Sequence, residues 1–333
     1  MSVISFAEKA GNAGAIVVDS IFKADSILNQ KGYQNIAVSI SGGSDSDIVL
    51  DMCSRLRADL RYVFFDTGIE YGATQRHLLY LEERYGIKIE RIPASVPVPL
   101  GCSRFGVPFL SKFVSDNIYR LQKNGFQWED RPFSELIRLY PDCGSALKWW
   151  CNQYRNEGYE SSFFEISRNR YLKDFLLKHP PEFAISSKCC DGAKKYVSYR
   201  FNKENNIELS VIGVRRAEGG IRKLAYSSCF ASTTKYGNAQ YRPLFWYRNE
   251  DKIAYERTFD ICHSDCYTVY GFKRTGCCCC PFGKEFDEEL RVVEEREPKL
   301  YKAVNNIFGK SYSYTRKYRE FCRQQKGQQK RAA

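Results

Sequence analysis

Ser41-Gly42-Gly43-Ser44-Asp45-Ser46 is the stretch whose residue types most directly imply chemistry. Two glycines let a backbone approach an anion closely, and three hydroxyls add hydrogen-bond donors. The segment before it, Asn35-Ile36-Ala37-Val38-Ser39-Ile40, reads as a short buried strand. The segment after it, Ile48-Val49-Leu50-Asp51-Met52-Cys53, has the apolar spacing of a helix start. A strand entering a Gly/Ser loop and then a helix aims unpaired backbone N–H groups at one point, which suits phosphate. Asp45 beside phosphate implies either a Mg²⁺ ion between them or a helix-capping role. The loop lacks the Lys-Ser/Thr that a Walker loop requires after its second glycine.

A second group of residues carries sulfur. Cys189-Cys190 and the distant Cys277-x-x-Cys280 supply four thiols, a donor set suited to [4Fe–4S] or to tetrahedral zinc. Adjacent cysteines are unusual in structural zinc sites, which weights the set toward iron. The unbroken run Cys277-Cys278-Cys279-Cys280 leaves open which of its members would ligate. Cys262, His263 and Cys266 read as structural, Cys53 as core, and His77 and His179 as packed or surface residues. Fourteen cysteines without an export signal argue against a disulfide framework.

The elements that must position these residues follow from periodicity. Leu60–Phe65 and Lys88–Pro93 read as further strands, and 71–85 as a helix stopped by Gly86. Val17, Val18, Ile21, Phe22, Ile27 and Leu28 form one stripe of an earlier helix. The β-α-β-α-β order predicts a doubly wound, mostly parallel α/β sheet with its ligand at the carboxyl ends of the strands. Leu209–Val214 resumes the sheet, and 242–246 reads as an added edge. The expected division is a nucleotide-binding domain over 1–94 and 188–248, a helical, aromatic-rich insertion over 95–187, and a helical, cysteine-rich part with a basic arm over 249–333. The last ten residues, rich in Gln and Lys, read as disordered.

The chain has 333 residues, 43% of them hydrophobic, enough for one large domain or two modest ones. It has no run of 18 apolar residues and no signal-peptide start, so a cytoplasmic protein without membrane contact is expected. Of the net charge of +12, residues 309–333 carry +7, from eight Lys/Arg against Glu320. Such a basic arm suits nucleic-acid phosphates as a partner.

Several separated segments together resemble one family. Ser41–Ser46 is similar to the PP-loop, Ser-Gly-Gly-x-Asp-Ser, of enzymes that split ATP between its α and β phosphates. Phe65-Asp66-Thr67-Gly68 with Tyr71 resembles the second block of the PAPS reductase-like branch of that superfamily. Lys188-Cys189-Cys190, Ile212-Gly213-Val214-Arg215-Arg216 and Tyr270–Pro281 are similar to segments of assimilatory adenylylsulfate reductases. Arg242-Pro243-Leu244 with Trp246 and Asp251 fits a further block. The resemblance implies an iron–sulfur cluster on Cys189, Cys190, Cys277 and Cys280. It also implies a nucleotide site of Ser41, Gly42, Gly43, Ser44, Asp45, Ser46, Asp66, Arg215 and Arg216. One of the two arginines would clamp phosphate while the other pairs with Glu218, with Arg222 and Lys188 within reach.

The intact loop favours an ATP pyrophosphatase with Asp45, Arg215 and Arg216 as its catalytic residues. The expected products are AMP and pyrophosphate, with Mg²⁺-ATP as substrate, a nucleic acid as the acceptor of sulfur and a sulfur-donor protein as partner. The alternative is a reductase of adenylyl sulfate or its 3′-phosphate. Within the family that needs a mobile late cysteine in a Glu-Cys-Gly-Leu-His context. The only late cysteine here is Cys322, in Arg319-Glu320-Phe321-Cys322-Arg323. A non-catalytic nucleotide- or nucleic-acid-binding module is the third reading.

Overall fold

The structure is a computed structural model that describes residues 2–154, 162, 164–219, 225–234 and 237–332, with side chains as far as Gln329. Arg222, and Phe163 of the aromatic-rich stretch, lie outside the described residues. The chain forms two compact units, Met1–Ser95 with Ala193–Cys278 and Val96–Gly192 with Cys279–Ala333.

The first unit is built on a six-stranded sheet of order β3-β2-β1-β4-β6-β5. Its strands are β1 (Ile36–Ile40), β2 (Arg61–Asp66), β3 (Ile89–Pro93), β4 (Leu209–Ile212), β5 (Phe230–Ala231) and β6 (Ala239–Tyr241). All neighbours run parallel except β5 and β6. The central strand β1 pairs Ala37 with Arg61 on one side and with Ser210 on the other. A strand covered on both faces must be apolar throughout, and Ile36, Ala37, Val38 and Ile40 are all buried. One face packs on a core that includes Val17, Ile21, Leu28, Ile48, Val49, Met52 and Tyr255. The other covers Ala37 and Val63 with Phe201 and Ile207.

The helix Ser44–Leu56 starts directly after β1, and Gly72–Tyr85 follows β2. Gly86 ends the latter at φ +60°, a left-handed cap that glycine adopts without steric cost. Two readings need correction, one of a sheet edge and one of a helix stripe. The added strand is β6, which stops at Tyr241, and 242–246 forms turns that bury Leu244 and Phe245. Pro243 has no N–H to give a ladder, so the apolar run packs inward instead of extending the sheet. Phe22 is exposed, whereas Val17, Ile21, Ile27 and Leu28 of the expected stripe are buried.

The second unit is helical. Trp149, Trp150, Phe109, Phe126 and Phe175 form its core together with Tyr314, Tyr318 and Phe321 of the helix Pro298–Ala332. Trp150 Nε1 donates to the Glu129 carbonyl at 3.0 Å, so its one polar group is satisfied inside. These rings are therefore occupied with packing. The last residues, expected to be disordered, continue the helix to Ala332. Gln, Lys, Arg and Ala all have high helix propensity, which composition rules for disorder overlook. Among the described residues, no helix is long and apolar enough to cross a membrane.

Candidate active site

The loop after β1 is braced from within. Ser46 Oγ donates to the Gly43 carbonyl at 2.7 Å and accepts from the Gly43 and Ser41 backbone N–H groups, each at 3.2 Å. Gly42 sits at φ +66°, and a Cβ there would come within 2.6 Å of Thr74 Cγ2. A Cβ on Gly213, just after β4, would lie 3.2 Å from the Asp45 carbonyl carbon and the Ser46 nitrogen, a tight contact with backbone. Both glycines thus set how closely the loop can be approached.

The loop lines a cleft of about 120 Å³ with Arg215, Glu218, Lys252, Tyr267, Lys273, Arg274 and Thr275. Four cations face two carboxylates there. Arg215 Nε lies 2.9 Å from both Asp45 carboxylate oxygens, and Lys252 Nζ is 3.2 Å from Oδ1. Lys252 also donates to Ser44 Oγ. Arg215 is 8% exposed, so its ion pair is little screened by water. Lys273 and Arg274 are exposed at the same cleft.

A half-buried network lies beside these groups. Asp47, one position after Ser46, is fully buried, with Oδ2 2.8 Å from His263 Nδ1. Its Oδ1 is 3.1 Å from His77 Nε2, an ion-pair distance without hydrogen-bond alignment. His263 Nε2 lies 2.8 Å from Glu256, whose carboxylate is 3.6 Å from Lys252 Nζ. Burial opposes charge on His263, but hydrogen bonds to Asp47 and Glu256 outweigh it and raise its pKa to about 9. Burial likewise opposes charge on Asp47, and the two histidines lower its pKa nonetheless.

Of the residues expected at the nucleotide site, Ser41, Gly43, Ser44, Asp45, Ser46 and Arg215 line the cleft. Gly42 shapes the turn from behind. Arg216 does not line the cleft: its guanidinium lies 5.8 Å from the Trp246 ring centroid. Glu218 accepts from the Arg215 backbone N–H at 3.3 Å. Asp66 Oδ1 accepts from the Gly68 N–H at 2.8 Å and so caps its own turn. Lys188 belongs to the second unit, with its ammonium 5.7 Å from the Tyr119 ring centroid. Sequence reading missed Lys252, Lys273, Arg274 and the Asp47–His263–Glu256 chain. The pairing of Lys252 and Glu256 at i, i+4 and the Lys-Arg before Thr275 were the available signals.

The thiols are distributed over both units. In the second, Cys189 is buried and hydrogen-bonded to Cys190 and to Cys102, which sequence reading did not single out, and it senses the charge of Cys280. Gly101 lets that contact form, because a Cβ on it would lie 3.1 Å from Cys189 Cα. In the first unit, Cys277 Sγ donates to Thr67 Oγ1 at 3.5 Å, and the Cys278 N–H donates to the Ile69 carbonyl at 2.9 Å. Among the described residues, no three His, Cys, Asp or Glu side chains are arranged to hold a metal ion. Thiol donors are of the chemical kind that suits iron or zinc. Cys322 lies within the helix Pro298–Ala332, where Sγ donates to the Arg170 carbonyl at 3.6 Å.

Residues 35–96 match the family model of the phosphoadenosine phosphosulfate reductase domain. No curated protein matches the chain. Among solved structures, the chain is similar to phosphoadenylyl-sulfate reductase from Candida auris at 12% identity and TM-score 0.42, covering 76% of this chain and 87% of that one. It is similar to the U34-tRNA thiolase NcsA of Methanococcus maripaludis, solved with its [4Fe–4S] cluster, at 15% identity and TM-score 0.39, covering 92% and 79%. The NH3-dependent NAD synthetase of Campylobacter jejuni gives 13% identity and TM-score 0.37, covering 91% and 92%.

Proposed function

We propose that the chain belongs to the PAPS reductase-like branch of the PP-loop superfamily, a reading supported by the match of residues 35–96 to the phosphoadenosine phosphosulfate reductase domain, and that the protein cleaves ATP to AMP and pyrophosphate while adenylating an acceptor for sulfur transfer. The observation that carries this reading is the joining of an intact loop to four cations at one cleft. Preformed positive charge beside oriented loop donors stabilises the charge that builds on a departing pyrophosphate.

In this reading the phosphates take over Arg215 and Lys252 from Asp45, whose carboxylate then turns to the Mg²⁺ that accompanies ATP. An acceptor oxygen attacks the α-phosphorus, the bond to the bridging oxygen of the β-phosphate breaks, and pyrophosphate leaves with that electron pair. A sulfur nucleophile from the donor then attacks the acceptor carbon that bears the adenylated oxygen, and AMP leaves with the C–O electron pair. Arg215 holds phosphate in a planar fork, while Lys252 follows it as a point charge. Cys189, Cys190, Cys277 and Cys280 would hold the [4Fe–4S] cluster, with Cys102 beside Cys189. When bound, such a cluster supplies iron that can ligate sulfur.

The acceptor we propose is a nucleic acid, held by Arg316, Arg319, Arg323 and Lys326 along a cleft of the C-terminal helix, with sulfur from a donor protein in the cytoplasm. The adenylyl sulfate reductase reading is disfavoured because Cys322 is fixed within a 35-residue helix rather than on a mobile arm. The test is product analysis with Asp45→Ala. Wild-type protein is expected to release AMP and pyrophosphate, and the variant to lose about a thousandfold in turnover while melting within a few degrees of wild type. Unchanged turnover in the variant contradicts the reading.

A further inference from the structure

The cations that face the loop differ in how they are held. Lys273 and Arg274 are exposed, whereas Lys252 is fastened through a chain of half-buried groups that ends on the buried Asp47. Glu256, four residues further along the helix Asn249–Phe259, accompanies Lys252 at 3.6 Å and also receives His263 Nε2 at 2.8 Å. The opposite face of the same imidazole, Nδ1, is 2.8 Å from Asp47 of the helix Ser44–Leu56. One ring therefore bridges two helices, one carrying the loop and the other carrying a cation that faces it. We propose that His263 is a positioning residue that fixes Lys252 against the loop by tying Glu256 to Asp47.

The proposal rests on the phosphate-binding reading of the cleft and adds to it a residue that touches no phosphate. A doubly protonated ring donates to both carboxylates at once, whereas a neutral one can donate to only one. The charged and titratable groups around it are few. Asp47 faces it from the loop helix, with His77 of the helix Gly72–Tyr85 on Asp47's other oxygen. Glu256 faces it from the helix Asn249–Phe259, with Lys252 beyond, and Tyr267 of its own segment lies 5.7 Å away, ring to ring. Since the pKa of His263 is raised to about 9, both hydrogen bonds are present below that pH. One is lost as the pH rises through it.

The experiment is a double-mutant cycle on the full chain, reading Mg-ATP and inorganic pyrophosphate affinity by calorimetry. His263→Ala is expected to weaken both ligands about tenfold, the loss of hydrogen bonds to charged groups. In a Lys252→Ala background the same change is expected to have no further effect. Glu256→Gln keeps the shape and is expected to move the alkaline fall in affinity to lower pH. It covers the case in which His263→Ala fails to fold. Additive losses in the cycle, or a pH profile unmoved by Glu256→Gln, overturn the inference while leaving the cleft's function intact. Wild-type protein that binds neither ligand overturns the reading of the cleft and this inference with it.

Discussion

The cleft at the Gly/Ser loop and the thiol set are both announced by short motifs, yet they differ in how far the chain alone completes them. Every residue of the cleft belongs to one unit, and the ion pairs of Asp45 with Arg215 and Lys252 interlock three segments before any ligand is considered. The thiols come from segments in both units. Cys189, Cys190, Cys102 and Cys280 are gathered in one, while Cys277 is tied to Thr67 in the other. A site made of backbone turns and paired charges can be finished by folding. A site made only of like thiols has no attraction of its own and needs a metal to arrange it.

The largest expected effect tests that contrast. Protein purified without oxygen should be brown and carry about four iron and four sulfide per chain, and Cys280→Ser should reduce the iron close to zero. Mg-ATP affinity should change less than about threefold in that variant, near the scatter for independent sites. Colourless protein with stoichiometric zinc would exclude the iron reading, and joint loss of iron and ATP binding would break the contrast. The reciprocal variant is Gly42→Ala. The added methyl meets Thr74 in a left-handed turn, so Mg-ATP affinity should fall at least about tenfold by the strain of that conformation, with iron content unchanged.

A smaller effect separates stability from binding along the loop helix. Asp51, one turn beyond Asp47 and fully buried, accepts both Arg55 donors, Tyr85 Oη at 3.0 Å and Tyr255 Oη at 2.8 Å. Asp51→Ala leaves those donors unpaired and should cost about 3 kcal/mol in denaturant unfolding. Mg-ATP affinity is expected to stay the same. Affinity that falls with stability would mean that the two aspartates act as one network.

The sequence exposed what local pattern controls. β1, β2 and the helix capped by Gly86 were legible because burial on both faces and a left-handed stop leave a signature within ten residues. The loop was legible because its glycines and hydroxyls are consecutive. Asp47, His263 and Lys252 were not, since their meaning comes from contacts across roughly two hundred residues that no spacing rule anticipates. His263 looked structural beside Cys262 and Cys266, although its two carboxylate partners give it a different role. Arg215 and Arg216 were indistinguishable in sequence, and only the turn after β4 sends one to the cleft and the other to Trp246. The apolar pair Leu244-Phe245 imitated a strand because burial in a turn and burial in a sheet demand the same residues.

We propose that the cleft serves ATP rather than a preformed adenylyl sulfate. The most direct test is competition calorimetry on oxygen-free protein with Mg-ATP, adenylyl sulfate and its 3′-phosphate. Mg-ATP binding at least tenfold tighter than either sulfate is the predicted result. Tighter binding of either adenylyl sulfate would contradict it and make Cys322 the residue to mutate.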